Sequence, residues 1–187
     1  MDDLHQRERC LALLHEFTLT ESLRRHAYAV EAAMRAAAER TGHDPDEWGA
    51  VGLLHDFDYE RFPTEADHPW RGAEILRERG YPEDFVRSVL SHASYTGVPR
   101  DTDRDRWLFA VDELCGFCMA CAMVQPDRKI ASVQVKSVRK KLKKKDFAAK
   151  VNRGEIAEGA AGVGLEQDDL IAFVLAALVP VADDLGL

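Results

Sequence analysis

The chain has 187 residues, 46% apolar and 31% charged, with a formal charge of −8. This size and composition fit a soluble globular protein with one sizeable core. The acidic excess argues against general nucleic-acid binding, and the polar start Met1-Asp2-Asp3-Leu4-His5 does not read as a signal peptide.

The opening segment, about residues 2–16, is expected to be helical, with Leu4, Leu11 and Leu14 as its apolar positions. Thr18-Leu19-Thr20-Glu21 has the form of a capping box and predicts the start of a second helix. Leu23, His26, Ala27, Val30, Met34 and Ala37 share one stripe of it, which puts His26 on the inward face. Gly42 predicts its end. Asp44-Pro45-Asp46-Glu47 then supplies an N-cap, a proline in the first turn and early acids. Trp48, Val51, Leu54 and His55 follow at three- and four-residue steps. That third helix is expected to end at His55-Asp56, with both side chains at its C-terminal mouth. The loop from Phe57 to Asp67, carrying Asp58, Tyr59 and Arg61, is expected on a pocket rim.

His68 precedes Pro69 near the start of a short helix ending by Gly80. Pro82 opens another, in which Phe85, Val89 and His92 stand at i, i+4 and i+7, so His92 points to the apolar side. Thr96 to Asp105 is expected to be a loop. The next helix has Leu108, Val111, Asp112 and Cys115 on one face and ends at Gln125-Pro126. Val135, Val138 and Leu142 give a thin apolar seam to a very basic helix. The Gly- and Ala-rich stretch Gly154 to Gly164 is expected to be a loop. The last helix, Gln167 to about Val179, is expected to plug the core. The apolar run Leu170 to Ala182 contains Pro180 and falls short of the roughly 20 residues of a membrane span. No strand, repeat or linker stands out. The reading is an all-α, single-domain helical bundle over 1–187, with a motif core of about 20–120 and a C-terminal helical extension of about 127–187, and a cytoplasmic location.

Cys115, Cys118 and Cys121 form a C-x-x-C-x-x-C run, but they fall in a segment of helical pattern, whereas cluster-binding runs wrap iron as loops. They read as small buried packing residues. Between Arg128 and Arg153 stand eleven Lys or Arg against one acid, Asp146, which leaves 14 basic and 32 acidic residues elsewhere. Lys143, Lys144 and Lys145 read as a solvated face. Lys136 and Lys140, with Arg25 and Arg61, are the candidate cations for a bound phosphate.

The chemistry-bearing residues come in the order His26, His55-Asp56, His68, His92, Asp112. An unpaired acid on a core face costs several kcal/mol or changes its protonation, so Asp56 and Asp112 need partners. The histidines can supply them through hydrogen bonds or a shared metal. Nitrogen and carboxylate donors without cysteine suit a divalent transition metal or Mg²⁺. His5, His15 and His43 read as surface or capping residues.

On His26, His55-Asp56 and Asp112, the chain resembles the HD-domain superfamily of metal-dependent phosphohydrolases, and within it an HDIG-type single-domain bacterial member. The resemblance spans about residues 20–120. It implies that these four residues bind a first metal, and that His68 and His92 bind a second one bridged by Asp56. It further implies Asp56 and Asp58 as catalytic carboxylates. The implied reaction is hydrolysis of a small phosphorylated substrate, a nucleotide among the candidates, with one or two ions of Mn, Mg, Fe, Ni or Zn and no nucleic-acid polymer or membrane as partner. The chain departs from the HD-GYP phosphodiesterases, with Phe57-Asp58-Tyr59 after the His-Asp pair and a single His92 followed by Ala93-Ser94. Only His68-Pro69 and Gly72-Ala73-Glu74-Ile75-Leu76 resemble that group locally. Two other readings stay open: a di-iron oxygenase on the same fold, and a non-catalytic ligand-binding or regulatory domain.

Overall fold

The computed structural model describes residues 4–187; residues 2 and 3 of the expected opening helix lie outside them. The described chain is all-α: no strand occurs among the described residues. The helices are α1 (Arg7–Phe17), α2 (Glu21–Thr41), α3 (Pro45–Leu54), α4 (Trp70–Glu78), α5 (Glu83–Ser91), α6 (Asp103–Met123), α7 (Val135–Leu142), α8 (Arg153–Gly162), α9 (Gln167–Leu178) and α10 (Ala182–Leu185). The two 21-residue helices, α2 and α6, run through the middle. Val30, Met34, Leu54, Leu108, Leu114 and Val174 are fully buried around them.

Local chemistry explains most boundaries. The Asp44 side chain accepts from the Asp46 N–H at 2.8 Å, and Pro45 opens α3 as expected. Gly42 ends α2 at φ 77°, a conformation that glycine adopts without a side-chain clash. Gly52 lets α3 lie directly on α2, since a Cβ there would stand 2.9 Å from the Val30 carbonyl oxygen. His55 and Asp56 therefore leave the end of α3 beside the middle of the bundle.

Three expectations fail. The Thr18–Glu21 capping box does not form. Thr18 is buried, and its hydroxyl donates to the Phe57 carbonyl at 2.9 Å. The Glu60 carboxylate caps α2 from a distant turn, accepting from the N–H of Leu19 and the N–H and hydroxyl of Thr20. The loop expected through Asp105 ends sooner, because Thr102 and Asp105 make a reciprocal box at the start of α6. The stretch expected as a loop, Gly154 to Gly164, is mostly helix α8. Asn152 caps it, accepting from Gly154 and Glu155 N–H. Glycine weakens an isolated helix by about 1 kcal/mol relative to alanine, but here Gly159 allows contact with α6. A Cβ on it would sit 2.6 Å from the Ala110 Cα.

The three cysteines of the C-x-x-C-x-x-C run are buried on α6, as is Cys10 on α1. Lys143, Lys144 and Lys145 are exposed after α7, while Val138 anchors that helix in the core. No helix of the described residues is long and apolar enough to cross a membrane.

Candidate metal centre

Five elements bring the ligand candidates together. His26 comes from the second turn of α2 and Asp112 from the middle of α6. His55 is the C-cap of α3, followed by Asp56, and His92 is the C-cap of α5. His68 stands just ahead of α4. Two groups result: His26, His55 and Asp112, and Asp56, His68 and His92, the donor atoms of each lying within 4.8 Å of one another.

In the first group, Asp112 Oδ1 is 2.9 Å from His26 Nε2 and 3.4 Å from His55 Nε2. In the second, Asp56 Oδ1 is 3.1 Å from both His68 Nε2 and His92 Nε2. The other Asp56 oxygen, Oδ2, lies 3.6 Å from His55 Nε2. Asp56 thus turns one oxygen toward each group, the arrangement of a bridging carboxylate. Donors about 2 Å from one ion stand about 3 Å from each other, so both groups have the spacing of a coordination sphere.

The far side of each ring strengthens this fit. His55 Nδ1 meets the Gly52 carbonyl at 2.7 Å and His92 Nδ1 meets the Val89 carbonyl at 2.5 Å. A carbonyl only accepts, so both Nδ1 atoms carry the proton. In a neutral ring Nε2 then presents a lone pair to carboxylate oxygens. That contact is repulsive unless the ring takes a second proton or a cation lies between. His55 Nε2 is buried without a hydrogen-bond partner. Without a metal, protons fill the role. Burial disfavours charged His55, yet Asp56 and Asp112 hold it up at about 9. His68 is likewise pushed up to about 9, against burial, by Asp56 and Asp58. Asp112 is held well below the usual carboxylate range: burial works against this, and His55 and His26 outweigh it. A divalent ion meets the same demand for positive charge, so the residues fit a metal.

Asp58 is not at the cavity surface. It is fully buried behind His68, accepting from His68 Nδ1 and from the Gly72 N–H, both at 2.8 Å. Its contacts orient the His68 ring, so the structure places this expected catalytic residue behind that ring and off the cavity wall.

Both groups open into a cavity of about 330 Å³. Its wall adds Tyr59, Tyr95, Glu113, Lys150 and Glu155. None of the four expected phosphate cations lines it. Arg25 pairs with Glu21 and packs beside Gly186. Arg61 donates to the Glu16 carbonyl and covers the Phe17 ring at 4.1 Å. Lys136 and Lys140 are exposed on α7, away from the cavity wall. Lys150 is instead the one lysine or arginine among the described lining residues. Sequence reading missed it inside a run of lysines. It missed Glu113 as well, because neighbours on a helix do not ordinarily share a face. Burial and the adjacent Asp112 charge push the Glu113 carboxyl up to about 7.

A family model described as HD domain matches residues 23–115. The chain belongs to the HD-domain superfamily. The matched segment includes every histidine and aspartate of the two groups, and the HD-domain chain continues beyond it through the far wall of the cavity. Comparison with curated proteins and with solved structures gave no match. Metal-dependent hydrolases predominate in this superfamily, and the histidine and aspartate groups of this HD domain could hold a metal.

Proposed function

We propose that the chain hydrolyses a small phosphorylated substrate, a nucleotide among the candidates, through water activated at divalent metal. The observation that carries the reading is the placement of Asp56, one oxygen toward each histidine group at the floor of the cavity. Among the described lining residues are four carboxylates, Asp56, Asp112, Glu113 and Glu155, and a single ammonium, Lys150. Such a wall repels a phosphate until cations offset its charge, an offset that divalent ions held by the two groups would supply.

His26, His55 and Asp112 would hold one ion, and Asp56, His68 and His92 a second. Bound there, divalent ions polarise phosphoryl oxygens and lower the pKa of water toward neutrality. The protein supplies the rest. Asp58 fixes the His68 ring, and the Gly52 and Val89 carbonyls fix the tautomers of His55 and His92. Glu113 lines the cavity beside Asp112, and in the metal-free chain burial and that neighbouring charge push its carboxyl up to about 7. Tyr59 and Tyr95 are partly exposed at the mouth. Both lean on His68, Tyr59 by a ring contact at 5.3 Å and Tyr95 by donating to the His68 carbonyl at 3.1 Å. Their faces suit a planar group on the substrate. The cavity is at the small end of ligand sites, which favours a small molecule over a polymer.

Protein prepared without a histidine tag, loaded in turn with Mn²⁺, Mg²⁺, Ni²⁺, Zn²⁺ or Fe²⁺, should release phosphate from at least one of a panel of phosphate esters, and His26→Ala should abolish it. Two irons per chain with oxygen uptake and no phosphate release would overturn the reading in favour of an oxygenase.

A further inference from the structure

The turn between α7 and α8 is built with unusual care for an exposed segment. The Arg153 guanidinium donates to the carbonyls of Ala148 at 2.9 Å, Val151 at 2.6 Å and Lys144 at 3.3 Å, and also to that of Phe147. It lies 5.3 Å from the Phe117 ring centroid, and Phe117 meets Phe147 edge-on at 5.4 Å. Ala148 is held at φ 45°, a left-handed conformation that L-residues with a Cβ avoid. Four carbonyls drawn to one cation force a tight turn that a relaxed chain would not hold.

The turn ends against the cavity. Lys150 and Val151 line the same cavity as the histidines, and the Asn152 backbone N–H faces the Glu113 carboxylate. Glu155, in the first turn of α8, accepts from the Ser94 hydroxyl at 2.8 Å, which ties this wall to the segment after His92. Glu113 and Glu155 thus have partners other than Lys150. Lys150 itself makes no ion pair or hydrogen bond among the described residues. An unpaired ammonium has been placed at the mouth of a site otherwise lined by acids.

We infer that Lys150 is the cation that receives the phosphate of an incoming anionic ligand, and that Arg153 is a positioning residue that presents it by holding the 144–151 turn. The ligand class, a phosphate monoester or phosphate itself, rests on the phosphohydrolase reading; the clamp and the cation do not. An ammonium on a flexible stem suits this task, because it can follow the phosphate from the mouth inward.

Calorimetric titration of the Mn²⁺-loaded full chain with inorganic phosphate tests the pair without turnover. Lys150→Ala should weaken phosphate binding about tenfold, the scale of one charge-assisted contact, and Lys150→Arg should restore most of it. Arg153→Ala should weaken it similarly. The double variant should be no weaker than either single one, since both remove the same contact. Additive losses would mean that Arg153 acts only on the fold and would overturn its positioning role. Unchanged affinity in Lys150→Ala, or no phosphate binding by the wild type, would overturn the inference outright. Hydrolysis assays separate the two readings. Phosphate binding that depends on Lys150 without hydrolysis of any ester sinks the enzymatic reading alone. Hydrolysis with Lys150-independent binding sinks this inference alone.

Discussion

Asp58 holds His68 from behind, its Oδ1 2.8 Å from the ring Nδ1, while the ring's Nε2 faces Asp56 at 3.1 Å. A carboxylate in that position fixes ring orientation and raises the basicity of the outward nitrogen, effects whose loss costs about 10–100-fold in metal affinity. Asp58→Asn should therefore weaken one bound ion by that factor and leave the other, at His26, His55 and Asp112, in place. Gly72→Ala should reproduce the defect, since its Cβ would stand 2.7 Å from the Asp58 carboxyl carbon. Competition with a fluorescent chelator reads both; two equally unaffected ions would show that Asp58 has no orienting part.

Protons and metal compete for the same rings. Raised values of about 9 for His55 and His68 mean that the metal-free protein holds their charged forms at pH 7. Their contribution to metal-free stability is complete below the unfolded value of about 6.5 and fades as pH rises through about 9. Metal affinity runs the other way, rising over the same window as the protons leave. Titration of metal into the apo protein at pH 7, in buffers of different ionisation enthalpy, should show protons released on binding. Proton-neutral binding would refute the assignment of these rings as ligands.

Asp56→Asn keeps the shape of the side chain and removes the charge that both groups use. Hydrolysis assayed with excess metal should fall by orders of magnitude, with the far-UV circular dichroism unchanged. His68→Ala combined with His92→Ala should halve the metal per chain. Wild-type rates in Asp56→Asn would remove the basis of the proposed mechanism.

The helices that carry the ligands were legible because each is written locally: the Asp44-Pro45 start, the Gly42 stop, the inward spacing of Phe85, Val89 and His92. The caps that failed are tertiary. No local pattern could show that Glu60 would replace the Thr18–Glu21 box, or that Gly159 would turn a loop-like composition into a packed helix. The same division runs through the site. His26, His55, Asp56, His68, His92 and Asp112 signalled themselves as polar groups on apolar faces or at helix ends, and the structure brings them together. The phosphate cations did not, because a lysine's reach depends on where its turn docks. Arg25, Arg61, Lys136 and Lys140 point to other partners or to solvent.

Two glycines of α8 should respond oppositely to alanine. Gly159→Ala drives a Cβ into the Ala110 backbone and should destabilise by about 1–3 kcal/mol. Gly162 has nothing within 4 Å of the same added atom, so Gly162→Ala should stabilise by about 0.4–1 kcal/mol through a less flexible unfolded chain. Urea melts of the two variants decide it. Equal effects would mean that α8 does not pack on α6 as described.

The four cysteines lie in the core, and burial pushes the thiols of Cys115, Cys118 and Cys121 above their ordinary range. A thiol reacts as its thiolate and only where a reagent can reach it. The folded chain is therefore silent toward an aromatic disulfide reagent, and each opening of the bundle is recorded as a coloured leaving group. Cys10 on α1 and the trio on α6 lie on different helices, so the order in which they react would time which part of the molecule lets go first.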